Sequence, residues 1–161
     1  MKGAAQTRVG WLEQTLAGLD RLAARRDRAS ALPAHLTGIE GEEAAFLYLR
    51  RKGYTVVARR WSAGNVPGDL DLIAWQGPLL CFFEVKTRTA RDTTPAEAAV
   101  DAHKRNVLRR LARQYMRQVP GESVLQARFD VISVYLVPGQ KQEITHFENA
   151  FGWNERRREE D

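Results

Sequence analysis

Two carboxylates stand in this sequence where apolar side chains would be expected. The run Leu80-Cys81-Phe82-Phe83-Glu84-Val85-Lys86 reads as a core strand. Strand alternation puts Phe82, Glu84 and Lys86 on one face and Cys81, Phe83 and Val85 on the other. In Asp69-Leu70-Asp71-Leu72-Ile73-Ala74 the same alternation sets Asp69, Asp71 and Ile73 on one face. Pairing of these strands across the turn Gln76-Gly77-Pro78 brings Asp71 and Glu84 together. Two such carboxylates in a partly buried site repel and resist ionisation, and a divalent cation resolves the conflict. Oxygen donors without a His or Cys partner favour Mg²⁺ or Mn²⁺ over zinc. The three histidines, His35, His103 and His146, lack metal-ligand spacing.

Glu42 is a third candidate acid. Glu42, Ala45, Phe46 and Leu49 recur at helical spacing, so Glu42 lies on the apolar stripe while Glu40 and Glu43 point to solvent. A cation held by Asp71 and Glu84 would polarise a phosphoryl oxygen and lower the pKa of a bound water. Lys86 would orient or help deprotonate that water, or stabilise transition-state charge. Metal-assisted phosphodiester hydrolysis is the reaction these residues suit. The competing reading has Lys86 pair with Glu84 or Asp71, leaving an interaction domain with an internal salt-bridge cluster and little affinity for Mn²⁺.

Around these residues the sequence predicts an N-terminal helix over 9–28, with Val9, Leu12, Leu16, Leu19 and Ala23 on one face, then a linker over 30–37. A second helix is expected from Gly38 to Lys52, ended by Gly53. Strands follow over Tyr54–Trp61, Asp69–Trp75 and Leu79–Thr87, with a turn at Gly64–Gly68. Thr94-Pro95-Ala96-Glu97 has the form of a capping box opening a helix that breaks near Asp101 and runs to about Gln118. A fourth strand is expected within Val124–Val137, a short fifth over Glu143–Phe147, and a charged tail over 152–161. Three antiparallel strands, a helix and a crossover to a fourth strand make a mixed sheet of about five strands flanked by helices, an α/β fold.

Composition narrows the class. The 161 residues suit one compact domain, and a single cysteine, Cys81, excludes a disulfide scaffold. No apolar run approaches a membrane span, and Met1–Arg8 lacks the apolar stretch of a signal peptide, so a cytoplasmic protein without membrane partners is expected. No Gly-rich phosphate loop calls for an organic cofactor. Lys plus Arg number 25 against 20 Asp plus Glu, which favours polyanionic partners. Arg105, Arg109, Arg113 and Arg117 recur every four residues as a basic stripe suited to phosphates. Arg88 and Lys104 lie nearest the acidic residues in sequence.

Asp71 with Glu84-Val85-Lys86 resembles the PD-(D/E)xK nuclease core of many restriction enzymes and archaeal-type Holliday-junction resolvases. More narrowly, the chain resembles the YraN-like family of uncharacterised endonuclease-fold proteins. The resemblance rests on Gly41-Glu42-Glu43-Ala44-Ala45, Tyr48-Leu49, Gly53-Tyr54, Gly68-Asp69-Leu70-Asp71-Leu72-Ile73 and Phe83-Glu84-Val85-Lys86-Thr87-Arg88. Lys104, Arg128-Phe129-Asp130-Val131-Ile132 and His146-Phe147-Glu148-Asn149-Ala150-Phe151 complete it. It implies a restriction-endonuclease-like domain over residues 38–151, with Glu42, Asp71, Glu84 and Lys86 at the site and the Val85 carbonyl as a further metal ligand. It also implies action on nucleic acid, DNA before RNA and branched or damaged DNA in particular, by a protein that works as a homodimer. A nuclease fold that binds nucleic acid or a DNA-processing partner without cutting is the alternative. Two departures stand out. Asp69 occupies a position where the family usually has Glu, and an Asn-x-Arg element is replaced by Arg60-Trp61-Ser62 with a longer loop to Gly68.

Overall fold

The computed structural model describes residues 34–91, 100–121 and 126–154. The expected helix over 9–28, the capping box at Thr94–Glu97 and the tail beyond Asn154 lie outside the described residues.

Helix α1 spans Ala34–Arg51, four residues longer at its start than the sequence suggests. Position 33 is proline, which favours a helix directly after it, and Thr37 and Gly38 are tolerated inside. The helix ends where expected. Gly53 takes φ 86°, its N–H reaches the Arg50 carbonyl at 3.1 Å, and the Tyr54 N–H reaches that of Leu49 at 3.0 Å. This double closure satisfies carbonyls the last turn would leave open, and it buries Tyr54 beside Leu49.

Strands β1 (Thr55–Ala63), β2 (Val66–Gln76) and β3 (Leu79–Arg88) form an antiparallel meander. The first connection is tighter than the sequence suggests, because Ala63 pairs with Val66 across Gly64-Asn65 alone. In the second, Gly77 supplies φ 57° before Pro78, and Gln76 pairs with Leu79. Helix α2 (Ala102–Met116) then leads to β4 (Ala127–Tyr135), parallel to β3, and β5 (Glu143–Phe151) pairs antiparallel with β4. The sheet order is β1-β2-β3-β4-β5. The expected mixed five-stranded sheet flanked by helices is therefore present. The break foreseen near Asp101 is the N-cap of α2, whose carboxylate accepts the Lys104 N–H at 2.8 Å. Strand β5 is four residues longer than expected, carried to Phe151 by the ring stack of Phe151 on Phe129, 4.8 Å between centroids.

The sheet separates two apolar layers. On one face Ala45 and Leu49 of α1 pack with Tyr54, Leu72, Ala74, Cys81, Phe83, Ile132 and Val134. On the other, Leu108, Leu111 and Ala112 of α2 pack with Ile73, Leu80, Phe82, Phe129 and Val131. Leu70 joins the α2 layer rather than sharing a face with Leu72 and Ala74. Strict alternation fails there because the β2–β3 ladder stops at Leu72 opposite Phe83. A buried polar group ties β4 to β5 and to Tyr54 on the α1 face. Asp130, fully buried, accepts from Arg128 Nε at 3.2 Å and from the Asn149 N–H at 2.9 Å and lies 2.8 Å from His146 Nε2. Arg128 in turn donates to the Tyr54 hydroxyl at 3.0 Å. Burial pushes that phenol up to about 12, so it stays a neutral donor and acceptor.

Helix α1 passes close to the end of β3 at Gly41. A Cβ there would overlap Thr87 Oγ1 and lie 2.9 Å from both Thr87 Cβ and Cγ2, whereas one at Gly38 meets nothing within 4 Å. Both glycines are helical, so alanine gains propensity at each. Gly38→Ala should therefore stabilise by about 0.5–1 kcal/mol, and Gly41→Ala should destabilise by about 1–2 kcal/mol net of that gain. Urea denaturation of the two variants checks both signs. Adding Thr87→Ala to Gly41→Ala should recover only part of the loss, because the Thr87 Cβ remains.

Candidate active site

Glu84 continues the row Leu80-Phe82 on the face covered by α2, and its side chain is only 4% exposed. The strand is too central and too apolar to bring the carboxylate to water, so charge must come to it. Lys86, two residues along the same face, donates to Glu84 Oε1 at 2.8 Å. Lys104, in the first turn of α2, places its Nζ 3.2 Å from Oε2. That second oxygen is fully buried and accepts no well-aligned hydrogen bond despite this neighbour.

Asp71 lies next in register, opposite Glu84 where the β2–β3 ladder ends. Its Oδ2 accepts the Val85 N–H at 2.7 Å and so takes over from the missing backbone partner. Burial first, and then the charge of Glu84, push the Asp71 carboxyl up to about 7, against the opposing pull of the Val85 N–H and Lys104. Burial works against the charge of Lys104, yet the carboxylates of Glu84, Asp71 and Asp69 outweigh it and its pKa stands above the usual lysine value.

The structure thus brings Asp71, Glu84, Lys86 and Lys104 together. Glu42 stands differently. It flanks the buried line Gly41-Ala45-Leu49 of α1, and its Oε2 accepts from Arg60 Nε at 2.5 Å. Its charge reaches Asp71 as the weakest of the influences on that group. Among the described residues no group of three or more His, Cys, Asp or Glu side chains is placed to hold a metal ion. Two carboxylates and the Val85 backbone are the oxygen donors at hand. They fit a hard cation in chemical type, since Glu84 Oε2 lacks an aligned donor and Asp71 resists ionisation beside Glu84.

The basic stripe of α2 divides. Arg109 is buried: it donates through Nε to the Gly152 carbonyl at 2.9 Å and through a terminal nitrogen to Asn106 at 2.7 Å. It is a staple between α2 and the residue after β5, so this member of the stripe is not free to meet a phosphate. Arg105 is half-buried, with its Nε on the Val100 carbonyl at 2.7 Å. Arg113 is exposed above the Trp153 ring, and Arg88 closes β3 opposite Tyr135. Arg60, which strand alternation does not single out, takes φ 47° in mid-strand and pairs with Glu42.

The raised Asp71 carboxyl has a consequence for stability. The unfolded chain loses this proton near 3.8 and the folded chain near 7, so unfolding releases a proton between those values. Stability therefore falls as pH rises through that window and levels above it. Asp71→Asn, with no proton to lose, should raise the thermal midpoint at pH 8 by about 3 °C or more. The gain should shrink below pH 7 and vanish below pH 4. Melting curves across pH check this.

Comparison with known proteins places the chain. Residues 41–134 match the model of the "Uncharacterised protein family UPF0102", a span that includes Glu42, Asp71, Glu84, Lys86 and Lys104. A UPF0102 protein of Koribacter versatilis (strain Ellin345) is 52% identical over 120 residues, 74% of this chain and 82% of the relative. Relatives bearing the same family name occur in Solibacter usitatus, 44% identical over 78% of this chain and 94% of theirs, and in Porphyromonas gingivalis, 42% identical over 71% and 82%. The chain belongs to the UPF0102 family.

Proposed function

We propose that this protein is a metal-dependent nuclease of the PD-(D/E)xK type, hydrolysing phosphodiester bonds in DNA, branched or damaged DNA in particular. The observation that carries the reading is Glu84, a carboxylate buried in a core strand beside a second carboxylate and two lysines. A purely structural cluster would have no need of so much buried charge.

Asp71, Glu84 and the Val85 carbonyl would hold Mg²⁺ or Mn²⁺, which when bound polarises a phosphoryl oxygen and makes water more acidic. The remaining steps belong to the chain. Lys86, anchored on Glu84 Oε1, offers its ammonium to the charge that develops on the reacting phosphate and orients the attacking water. Lys104 approaches the same carboxylate from α2 and adds a second cation on that side. Glu42 supplies a further carboxylate at the rim. Arg88, Arg105 and Arg113 are the candidates for phosphates farther along the strand, a contribution to affinity without sequence preference. Arg109, turned inward, contributes by holding α2 in place.

One observation favours a second reading. Glu84 is engaged by both lysines and Glu42 by Arg60, a pattern of neutralisation that also suits a protein that binds nucleic acid or a DNA-processing partner without cutting it.

Labelled single strands, duplex, flaps and four-way junctions incubated in Mn²⁺ and in EDTA separate the two. The nuclease reading expects cleavage that needs the metal and falls by about 100-fold or more in Glu84→Gln and in Lys86→Ala. Binding without cleavage supports the second reading. Cleavage unchanged in both variants removes the site assignment.

A further inference from the structure

Arg60 is a half-exposed arginine in a left-handed backbone conformation, φ 47°, within β1. The conformation has a local use. It shifts the alternation of the strand so that both Ala58 and Trp61, three residues apart, pack on the α2 layer. Trp61 meets Tyr115 edge to face at 5.3 Å. Glycine or asparagine would make that shift with less strain. An arginine in this place has to be explained by its side chain.

The side chain's ion pair does not explain it. Arg60 Nε donates to Glu42 Oε2 with the arginine side chain 48% and the glutamate side chain 19% exposed, and a pair open to solvent on its cationic side contributes little to stability. Arg59, one residue earlier, already ties β1 to the same helix through Glu43 at 2.6 Å. What distinguishes Arg60 is its address. The β1–β2 register sets Arg59 opposite Leu72 and Trp61 opposite Leu70, so Arg60 stands opposite Asp71. Asp71 in turn lies in register with Glu84. One row across three strands therefore reads Arg60, Asp71, Glu84. Lys86 and Lys104 supply positive charge at the Glu84 end, and Arg60 supplies it at the other. With its guanidinium turned to Glu42 of α1, Arg60 still interacts electrostatically with Asp69 and Asp71, so an anionic strand reaching the carboxylates finds a cation beside Asp71 as well as beside Glu84.

We propose that Arg60 receives a backbone phosphate of the nucleic-acid strand at the Asp71–Glu84 site, and that Glu42 holds the guanidinium when no strand is bound. This rests on the nucleic-acid reading given above. A guanidinium is well suited to the exchange, because its fork of N–H donors matches a phosphate as well as a carboxylate. Glu42 then competes with the ligand for one cation, and removing that competitor strengthens binding only while Arg60 is present.

The test is equilibrium binding of a labelled single strand and a labelled four-way DNA junction over a range of salt concentrations, in EDTA so that no cleavage intervenes. Arg60→Asn should weaken binding about fivefold and reduce the salt slope by about one, with a thermal midpoint equal to or above that of the parent chain. Glu42→Gln should tighten binding in the parent chain and have no effect when combined with Arg60→Asn. Unchanged affinity and slope in Arg60→Asn would overturn the proposal. So would a Glu42→Gln gain that persists in the double variant, or a lowered midpoint in Arg60→Asn, which would make the residue structural. If the parent chain neither binds nor cleaves any DNA offered, the nucleic-acid reading fails and this inference falls with it. If the parent chain binds and Arg60→Asn binds as it does, the inference alone fails.

Discussion

Glu84 is a charge held in the apolar row that α2 covers, and the site is organised around making that position tolerable. A lone ionised carboxylate in such a place would cost several kcal/mol. Lys86 comes from the same strand face and Lys104 from the first turn of α2, so strand and helix must both be in place before Glu84 has both counter-charges. Asp71 arrives with the opposite requirement, since its charge is unwelcome beside Glu84 and its proton is held to about neutral pH. The result is a pair of carboxylates of unequal character within reach of two ammonium groups.

The remaining architecture fixes the distances at that pair. Gly41 lets α1 descend onto Thr87, one residue past Lys86, where any larger residue would lift the helix. The Asp101 cap sets the start of α2 and with it the height of Lys104. Arg109 locks the middle of that helix to Gly152. On the opposite face of the sheet, Asp130 gathers Arg128, His146 and the Asn149 backbone, and through Arg128 it reaches Tyr54 just before β1. That cluster is fully satisfied and braces the strand that runs parallel to β3. The two buried acidic centres therefore differ in kind: Asp130 has its donors aligned, whereas Glu84 retains an oxygen without one.

Much of this was legible in the sequence. Period-two alternation together with the Gln76-Gly77-Pro78 turn was enough to pair Asp71 with Glu84, because the apolar neighbours left only one register that keeps the core dry. Gly53 marked a helix end through ordinary capping chemistry, and the break expected near Asp101 is the cap of α2. What escaped depended on tertiary context. Nothing in a four-residue repeat of arginines says that the second of them turns inward, since that requires knowing where Gly152 lies. Alternation placed Leu70 with Leu72, and the early end of the β2–β3 ladder overrode it. The pairing of Glu42 with Arg60 was likewise invisible, because a left-handed residue inside a strand defeats the rule used to read the strand.

Cys81 gives this arrangement a built-in means of observation. It is the single thiol of the chain, fully buried in β3 three residues before Glu84, and burial pushes its pKa up to about 11. A thiol in that state reacts only when its strand is uncovered. Its rate of modification by a small alkylating reagent is thus a clock for the opening of β3, and protection of the thiol by a bound ligand would report occupancy of the neighbouring carboxylates without any label being introduced.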